Sequence, residues 1–420
     1  MRSVQQAAYK VWWCHPAVAL GVPAAIVALA ARAIPGDVYA SYWNVGKYFS
    51  ETALTLSLLS ILCFALGTFF GSTRRSDEKG GLAAIPWARV SLVFNISFYL
   101  TLIGYAAWAA VAIARGMSLQ LLLDGLTGRN GASYVLHEVY LTTVPGVTTL
   151  TQFGIVTVVT GAAMGSVLGW SRVRSKVALV LMLALLRAVL HSERLAILEL
   201  VVPALVTCLA WRTYRPGHST TGKRLIQAGP FLAVPALIFV FGAFEYSRSW
   251  TGFYANRQSS FVSFVGLRLV GYYSTALNNG ALILDSLRQP FGTPLFTLNF
   301  AWKFPILGEI TSRIFPDPGF SLDTYMHILE SSANPEFNNP SGLLLPFADF
   351  GVAGGLLYWL LSGILCGYLY RRFLAGAAAG LFLYPALFTG LIEASRILYW
   401  SDGRFFPGMF LLIVSVAVLF

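Results

Sequence analysis

Long apolar runs constrain this chain more than any other feature, because several match the length of a membrane-spanning helix. A bilayer core about 30 Å thick needs roughly 20 apolar residues per helix. Six runs are clear, and they cover residues 16–31, 52–70, 90–114, 147–170, 351–370 and 373–392. Four less uniform runs cover residues 177–190, 195–211, 225–244 and 405–420. Charged residues make up only 11% of the 420 residues, whereas soluble proteins carry roughly 25%. We therefore predict an all-α, polytopic membrane protein with about ten transmembrane helices.

Basic residues are distributed unevenly among the loops between these runs. One set of alternate loops holds 15 basic residues and two acidic ones, Asp77 and Glu78. The other side holds the remaining 14 basic and 16 acidic residues. Since positively charged loops stay in the cytoplasm, both termini are predicted to be cytoplasmic. The formal net charge of +11 is then an orientation signal, and nucleic acid is excluded as a partner.

The spacing of the runs predicts one integrated membrane domain in three parts. Residues 1–245 hold the first seven helices, residues 246–346 form a large loop outside the cytoplasm (periplasmic or extracellular), and residues 347–420 hold the last three helices. The loop carries prolines at positions 290, 294, 305, 316 and 318. We therefore expect it to form short helices and turns over the outer membrane surface.

Ionisable residues cluster where we predict a hairpin between the fifth and sixth helices, with its turn near residues 191–194. Arg187 lies eleven residues after Lys176, which is roughly 16 Å of helix rise. Its side chain would therefore lie inside the hydrocarbon unless it lines a polar cavity. The complete cluster is Arg187, His191, Glu193, Arg194 and Glu199. The alternative is a purely structural ion pair between Arg187 and Glu199.

Three further polar clusters are predicted to open on the same, non-cytoplasmic side. Their members are Glu245, Arg248 and Arg257; Glu336, Asn338, Asn339 and Asp349; and Glu393, Arg396, Asp402 and Arg404. For the arginines of the first of these clusters, the alternative role is that of a solvated helix end whose side chains extend to the membrane surface.

This set of residue types suits the transfer of a saccharide from a lipid-linked diphosphate. The planar guanidinium of arginine binds phosphate in a bidentate manner, and asparagines and carboxylates bind sugar hydroxyls. A histidine or glutamate beside them can act as a general base toward a hydroxyl nucleophile. The sequence has no Asp-x-Asp pair, no Walker loop and no His-Glu-x-x-His motif. A nucleotide-sugar enzyme and an ATP-driven pump are therefore disfavoured, and we expect chemistry without a metal ion or other cofactor.

Residues 338–373 read NNPSGLLLPFADFGVAGGLLYWLLSGILCGYLYRRF. They combine an Asn-rich approach, a D-F-G-x-x-G helix start at residues 349–354 and a G-x-x-x-G-x-L-Y-R-R helix end at residues 363–372. This combination resembles the bacterial oligosaccharide repeat-unit polymerases, the O-antigen and capsular polysaccharide polymerases. Two looser similarities to the same family lie at residues 271–292 and 191–200, and together the three stretches cover roughly a quarter of the chain.

The resemblance implies a GT-C-like glycosyltransferase in the bacterial cytoplasmic (inner) membrane, with a cavity facing away from the cytoplasm. It implies that undecaprenyl-diphosphate-linked glycans are donor and acceptor, and it makes a chain-length regulator a candidate partner. Carried over by position, the residues are Arg187, Arg194, Arg248 and Arg257 for the diphosphate, His191 and Glu193 for catalysis, and Asn339 and Asp349 for substrate binding. A helix N-cap is the alternative role of Asp349. The glycines at 351, 354, 363 and 367 indicate close helix packing.

Part of the family pattern is missing, because its paired arginine repeats in the outer loop have no counterpart here. Donor and acceptor roles therefore stay unassigned. Two related functions also remain open: a ligase that transfers finished glycan, and a transporter or flippase of the lipid-linked saccharide. A transporter is expected to show inverted repeats and polar residues near the membrane midplane, whereas here the charges gather at one end of the spans. A purely structural scaffold would not need Arg187 and His191.

Overall fold

The structure is a computed structural model that describes residues 10–73, 81–127, 132–190, 194–212, 220–246, 249–250, 254–255 and 260–419. All regular secondary structure in these ranges is helical, which confirms the predicted all-α class. The helices begin with α1 (Pro16–Ala33), α2 (Gly36–Trp43), α3 (Glu51–Thr73), α4 (Trp87–Ala114), α5 (Leu119–Thr127), α6 (Ala132–Val135), α7 (Val147–Thr151), α8 (Gly154–Val167) and α9 (Arg174–Leu190). They continue with α10 (Leu195–Arg212), α11 (Thr220–Gln227), α12 (Gly229–Glu245), α13 (Phe261–Ser286), α14 (Asn299–Lys303), α15 (Pro305–Ile314), α16 (Leu322–Ser332), α17 (Leu345–Ala375), α18 (Ala378–Glu393) and α19 (Phe406–Val414).

Five helical segments of the described chain are long and apolar enough to cross a membrane. They are α1, α3, α4, the segment Val147–Val167 and α17. A sixth is added if α11 and α12, which are bent by 61° relative to each other, count as one span. The predicted count of ten is not confirmed, although every predicted run is helical over most of its length. Helix α18, for example, has 16 residues, or about 24 Å of rise, which is short of a bilayer core of about 30 Å.

Interlocked glycines bring α3 and α17 into direct backbone contact. A Cβ atom on Gly363 would overlap the carbonyl oxygen of Phe64, and one on Gly367 would overlap that of Thr68. In return, Cβ atoms on Gly67 and Gly71 would overlap carbonyl oxygens of α17. Two small-xxx-small patterns therefore face each other, as is common between membrane helices. The packing role predicted for the glycines at 363 and 367 is confirmed.

Helix α17 contains a break at Gly351, where the backbone has φ 68° and ψ −172°. A left-handed φ of this kind is strained for any residue with a Cβ atom. The break separates the first turns of α17, which pack against the loop at residues 291–297, from the long apolar part. The glycine at 351 therefore permits a change of direction and does not serve close helix packing.

Residues 246–346 differ from the predicted set of short helices and turns, because α13 is a single helix of 26 residues. The Asn-Asn-Gly sequence at 278–280 favours a turn on local preference alone. In the structure, the Asn278 side-chain oxygen accepts hydrogen bonds from the backbone N–H groups of Tyr48 (2.6 Å) and Phe49 (3.0 Å). Hydrogen bonds to another part of the chain thus stabilise Asn278 within the helix and override its local preference for a turn. The second half of α13 is buried.

The predicted break between the fifth and sixth helices is present, since α9 ends at Leu190 and α10 begins at Leu195. The two helices pack against each other and against α8. Residues 191–193 lie outside the described residues. The start of α10, the end of α12 and the end of α18 carry the charged side chains considered next.

Candidate functional site: a buried arginine–glutamate network

Glu199, in the first turns of α10, is the centre of one buried ion pair. Arg404 donates two hydrogen bonds to its carboxylate, one from Nε to Oε2 at 2.8 Å and one from a terminal nitrogen to Oε1 at 3.0 Å. The Tyr399 hydroxyl donates a third at 2.9 Å. The Glu199 side chain is 5% exposed and that of Arg404 is 14% exposed. A bidentate pair with an additional donor is the arrangement that makes a buried carboxylate tolerable.

Arg187, near the end of α9, lies beside this pair. Its guanidinium donates a hydrogen bond of 3.0 Å to the Thr151 hydroxyl and lies 5.3 Å from the centre of the Trp108 ring. Its charge also lies within electrostatic range of both Glu199 and Arg404. The alternative suggested by the sequence, an ion pair of Arg187 with Glu199 alone, is therefore too simple, because Arg404 also binds this glutamate.

A second ion-pair group surrounds Glu245 at the end of α12. Its carboxylate lies 3.0 Å from a terminal nitrogen of Arg194 and 3.1 Å from Nε of Arg268. Arg268 also pairs with Glu336, at 2.7 Å. The Glu245 side chain is fully buried, whereas that of Glu336 is 50% exposed. One carboxylate thus bridges two arginines in the interior, and the second carboxylate of Arg268 lies at the surface.

Aromatic rings enclose the two arginines of this group. The guanidinium carbon of Arg194 lies 4.1 Å from the ring centre of Phe241 and 4.7 Å from that of Tyr272. Arg268 lies 5.0 Å from the ring centre of Phe337. Cation–π contacts of this kind add favourable energy, especially away from water. Burial alone would lower the pKa of Arg268, but the neighbouring Glu245 and Glu336 raise it above its usual range.

A third ion pair, between Arg396 and Glu393, interacts electrostatically with the other two groups. Arg396 donates a hydrogen bond of 2.8 Å to Glu393 at the end of α18, and the Tyr273 hydroxyl lies 3.5 Å from the other carboxylate oxygen. Tyr273 is also within electrostatic range of Arg194 and Arg396. Tyr399, which hydrogen-bonds to Glu199, is within electrostatic range of Glu393.

Together the three groups form what we call the arginine–glutamate network. Its described members are Arg187, Arg194, Arg268, Arg396, Arg404, Glu199, Glu245, Glu336, Glu393, Tyr273 and Tyr399. Five guanidinium groups are costly in a body of apolar helices unless carboxylates balance them. A network of this composition can hold an anionic group of several charges, because each arginine offers a planar pair of donors.

Of the eight residues that were given site roles from the sequence, two belong to the network, Arg187 and Arg194. Six further members belong to the polar clusters that the sequence predicted: Glu199, Glu245, Glu336, Glu393, Arg396 and Arg404. Four others of the eight, His191, Glu193, Arg248 and Arg257, lie outside the described residues. Their predicted roles stay predictions.

Asp349 and Asn339 lie elsewhere. The buried Asp349 carboxylate accepts hydrogen bonds from the backbone N–H groups of Phe296 (3.1 Å) and Thr297 (2.8 Å) and from the Thr297 hydroxyl (2.8 Å). Asp349 thereby holds the loop at residues 291–297 on the start of α17, and these bonds come from that loop and not from the N–H groups that a helix N-cap binds. The Asn339 side chain is half-buried, and its backbone oxygen accepts a bond of 3.3 Å from Asn279.

Sequence reasoning missed Arg268, Tyr272 and Tyr273. Arg268 is the single charged residue between positions 261 and 284, within the predicted outer loop. The signal that singled out Arg187, an isolated arginine inside an apolar segment, applies to it equally. It was overlooked because the segment was expected to form short surface pieces, whereas it forms one helix with a buried face.

Among the described residues, no group of three or more His, Cys, Asp or Glu side chains is placed to hold a metal ion. Comparison of the chain with protein-family models, with curated proteins and with solved structures gave no match.

Proposed function

We propose that this protein is an integral-membrane glycosyltransferase that polymerises lipid-linked oligosaccharide repeat units. In the proposed reaction, a growing glycan moves from undecaprenyl diphosphate to a new lipid-linked repeat unit at the outer face of the bacterial cytoplasmic membrane. Two independent features support the proposal: the polymerase-like motif at residues 338–373, and the arginine–glutamate network.

The observation that carries the proposal is the convergence of five arginines from distant parts of the chain. They come from α9, from the residue before α10, from α13 and from the segment after α18. One arginine–glutamate pair would be enough to join two helices. Five arginines around one interior region suit a ligand with several negative oxygens, and a diphosphate is such a ligand.

Diphosphate binding by this network requires an exchange of partners. Four of the five arginines, Arg194, Arg268, Arg396 and Arg404, already contact glutamates. To bind a phosphate oxygen, any of these four must release its carboxylate. The pair between Arg268 and Glu336 is the easiest to exchange, since the Glu336 side chain is half exposed and can move into water. The displaced carboxylate, together with His191 and Glu193, then supplies base candidates for the attacking sugar hydroxyl.

Substitution of Arg187 and of Arg194 tests the proposal. In cells, R187A and R194A are each expected to lower glycan polymerisation by roughly 30-fold or more, the effect of losing a charge-assisted contact of about 2 kcal/mol. Polymerisation is compared per amount of protein in the membrane, because R194A also breaks the buried pair with Glu245. The matched control is R371A, at the C-terminal end of α17. This variant should still produce long-chain glycan. Normal chain length in both R187A and R194A would rule out the proposed diphosphate site.

A transporter of the same lipid-linked saccharide is the second candidate, because the described chain contains two interrupted helices. Helices α11 and α12 meet at 61°, and α17 is broken at Gly351. Broken helices line the binding sites of many transporters. The glycan profile of a strain lacking the protein separates the candidates: glycans with a single repeat indicate a polymerase, and precursor accumulated in the cytoplasmic leaflet indicates a transporter.

A further inference from the structure

Helix α5 carries a row of exposed leucines along one side. Their spacing of four and then three residues places them on one face of a helix. This leucine row consists of Leu119, Leu123 and Leu126, which are exposed to 72%, 48% and 40%. On the opposite side Gly125 is buried, and a Cβ atom there would overlap the side chain of Leu136. On a third side the exposed Gln120 donates a hydrogen bond of 3.1 Å to Asp124. The helix thus has a packed side, a polar side and an exposed apolar side.

Helix α15, from a distant part of the chain, has the same three sides. Its exposed apolar residues follow one another at spacings of four. This isoleucine row consists of Ile306, Ile310 and Ile314, which are exposed to 77%, 48% and 66%. The packed side carries Thr311, which is buried and donates a hydrogen bond of 3.2 Å to the backbone oxygen of Ala301. The polar side carries the exposed residues Glu309 and Ser312.

Both helices lie at the end of the helical body that holds the arginine–glutamate network. Helix α5 packs against α9 and contacts Leu190, three residues after Arg187. Phe304, immediately before α15, packs its ring at 5.0 Å on that of Phe406, two residues after Arg404. Because these two arginines belong to the same group of the network, α5 and α15 mark the same end of the protein.

The exposed apolar surface of the helical body continues into both rows. Ile113, in the last turn of α4, is exposed and precedes Leu119 by six positions. Beside α15, rings in contact lead from Phe304 through Phe406 to the exposed Phe410 of α19. Helix α4 is long and apolar enough to cross a membrane, so its exposed apolar side chains face lipid. The rows therefore extend a lipid-facing surface to the level at which α4 ends.

A lipid surface fits this arrangement more closely than a partner protein does. A helix with an apolar side and a polar side lies in the plane of the membrane interface, with its apolar side buried by about 5–10 Å. A membrane leaflet covers two separate helices at the same depth, whereas a protein partner would need a matching surface for each. The two rows contain only leucine and isoleucine, so acyl chains are the part of the lipid that they match.

We propose that α5 and α15 are interfacial helices that insert the leucine row and the isoleucine row into the membrane leaflet at the network end of the protein. This property goes beyond the proposed function, because it holds for a polymerase and for a transporter alike. It also sets the depth of the arginine–glutamate network, which then lies near the level of the lipid headgroups.

Nitroxide spin labels on single introduced cysteines measure this depth. L119C and I310C carry the label on the two rows, and their matched controls Q120C and E309C carry it on the polar sides of the same helices. All four positions are exposed, so the substitutions leave the helix packing unchanged. Each full-length variant is placed in liposomes, and collisions of the label with oxygen, which concentrates in lipid, are compared with collisions with a water-soluble nickel chelate. The unmodified protein, labelled in parallel, gives the background from the four native cysteines.

We expect the labels of L119C and I310C to lie about 5–10 Å below the lipid phosphates, and those of Q120C and E309C at or above the phosphates. Row labels that collide mainly with the nickel chelate would face water and would overturn the proposal. Row labels shielded from both reagents would be covered by protein, such as a second copy of this chain, and would overturn it as well. Control labels as deep as the row labels would show helices embedded in lipid on all sides, which also contradicts an interfacial position. Both helices must pass, because a failure of either one removes the common level.

Discussion

Removal of the charge of Glu245 tests whether the arginine–glutamate network stabilises the protein. The E245Q substitution keeps the size of the side chain but leaves Arg194 and Arg268 facing a neutral amide. The two arginines lie 3.0 and 3.1 Å from the carboxylate, which is fully buried. Because both arginines pair with Glu245, neutralising it removes an ion-pair partner from two guanidinium groups at once. The substitution also leaves the positive charges of Arg194 and Arg268 close to each other without a carboxylate between them.

The expected cost follows from this geometry. Breaking a buried pair by neutralising one partner typically destabilises a protein by about 3–5 kcal/mol. Arg268 keeps a second carboxylate, that of Glu336, at 2.7 Å, so most of the loss arises at Arg194. We therefore expect the free energy of unfolding to fall by about 3 kcal/mol, near the lower end of that range.

The assay is reversible unfolding in mixed micelles, followed by tryptophan fluorescence. The matched control is E51Q, which breaks the pair between Arg32 and Glu51, whose side chains are 39% and 71% exposed. Surface pairs contribute at most about 1 kcal/mol, so E51Q should be nearly neutral. Equal small losses in E245Q and E51Q would refute the view that the network is electrostatically coupled and shielded from water.

Three further predictions follow from the helix contacts, the charge pattern and the residue types. G363A should destabilise the protein, because its Cβ would overlap the Phe64 carbonyl oxygen. The control G266A, whose Cβ would enter open space, should be neutral or stabilising by up to about 1 kcal/mol. Equal free energies of unfolding for the two variants would contradict the close packing of α3 and α17. A cysteine at position 317 should react with a membrane-impermeant maleimide from outside the cytoplasmic membrane, and one at position 215 only after lysis; the reverse pattern would invert the orientation. Polymerising activity in isolated membranes should survive EDTA, and a strict need for an added divalent ion would contradict chemistry without a metal.

The helical class could be read from the sequence because apolar composition and run length are local properties. The helix ends follow from equally local signals: Pro16 occupies the first turn of α1, and Gly376, at φ 73°, ends α17. The number of spans could not be read in the same way. Short helices such as α18 are buried among other helices, and an apolar run looks the same whether lipid or protein surrounds it.

The network was only partly predictable for a different reason. An isolated arginine within an apolar segment, such as Arg187, can be recognised from the sequence because placing its charge in the membrane costs free energy. Their ion-pair partners cannot be identified in this way, because Glu199 pairs with Arg404 across 205 positions and Arg268 pairs with Glu336 across 68. The sequence offered Arg187, twelve positions away along the chain, as a partner of Glu199, whereas the fold adds Arg404 from the segment after α18. Pairing over such distances depends on tertiary packing, which a single sequence does not specify.

The position of the network bears on the choice between the two candidate functions. Its residues lie at the last turn of α9, the first turns of α10, the last turn of α12, the end of α18 and the segment after it, and also inside α13, where Arg268 and Tyr273 are found. By contrast, the central turns of α3 and α4 carry no charged residue at all. A transporter must expose its binding site to each side of the membrane in turn, which favours polar groups near the midplane. Because most residues of the network lie at helix ends, the network instead favours chemistry on a headgroup that stays at one membrane surface.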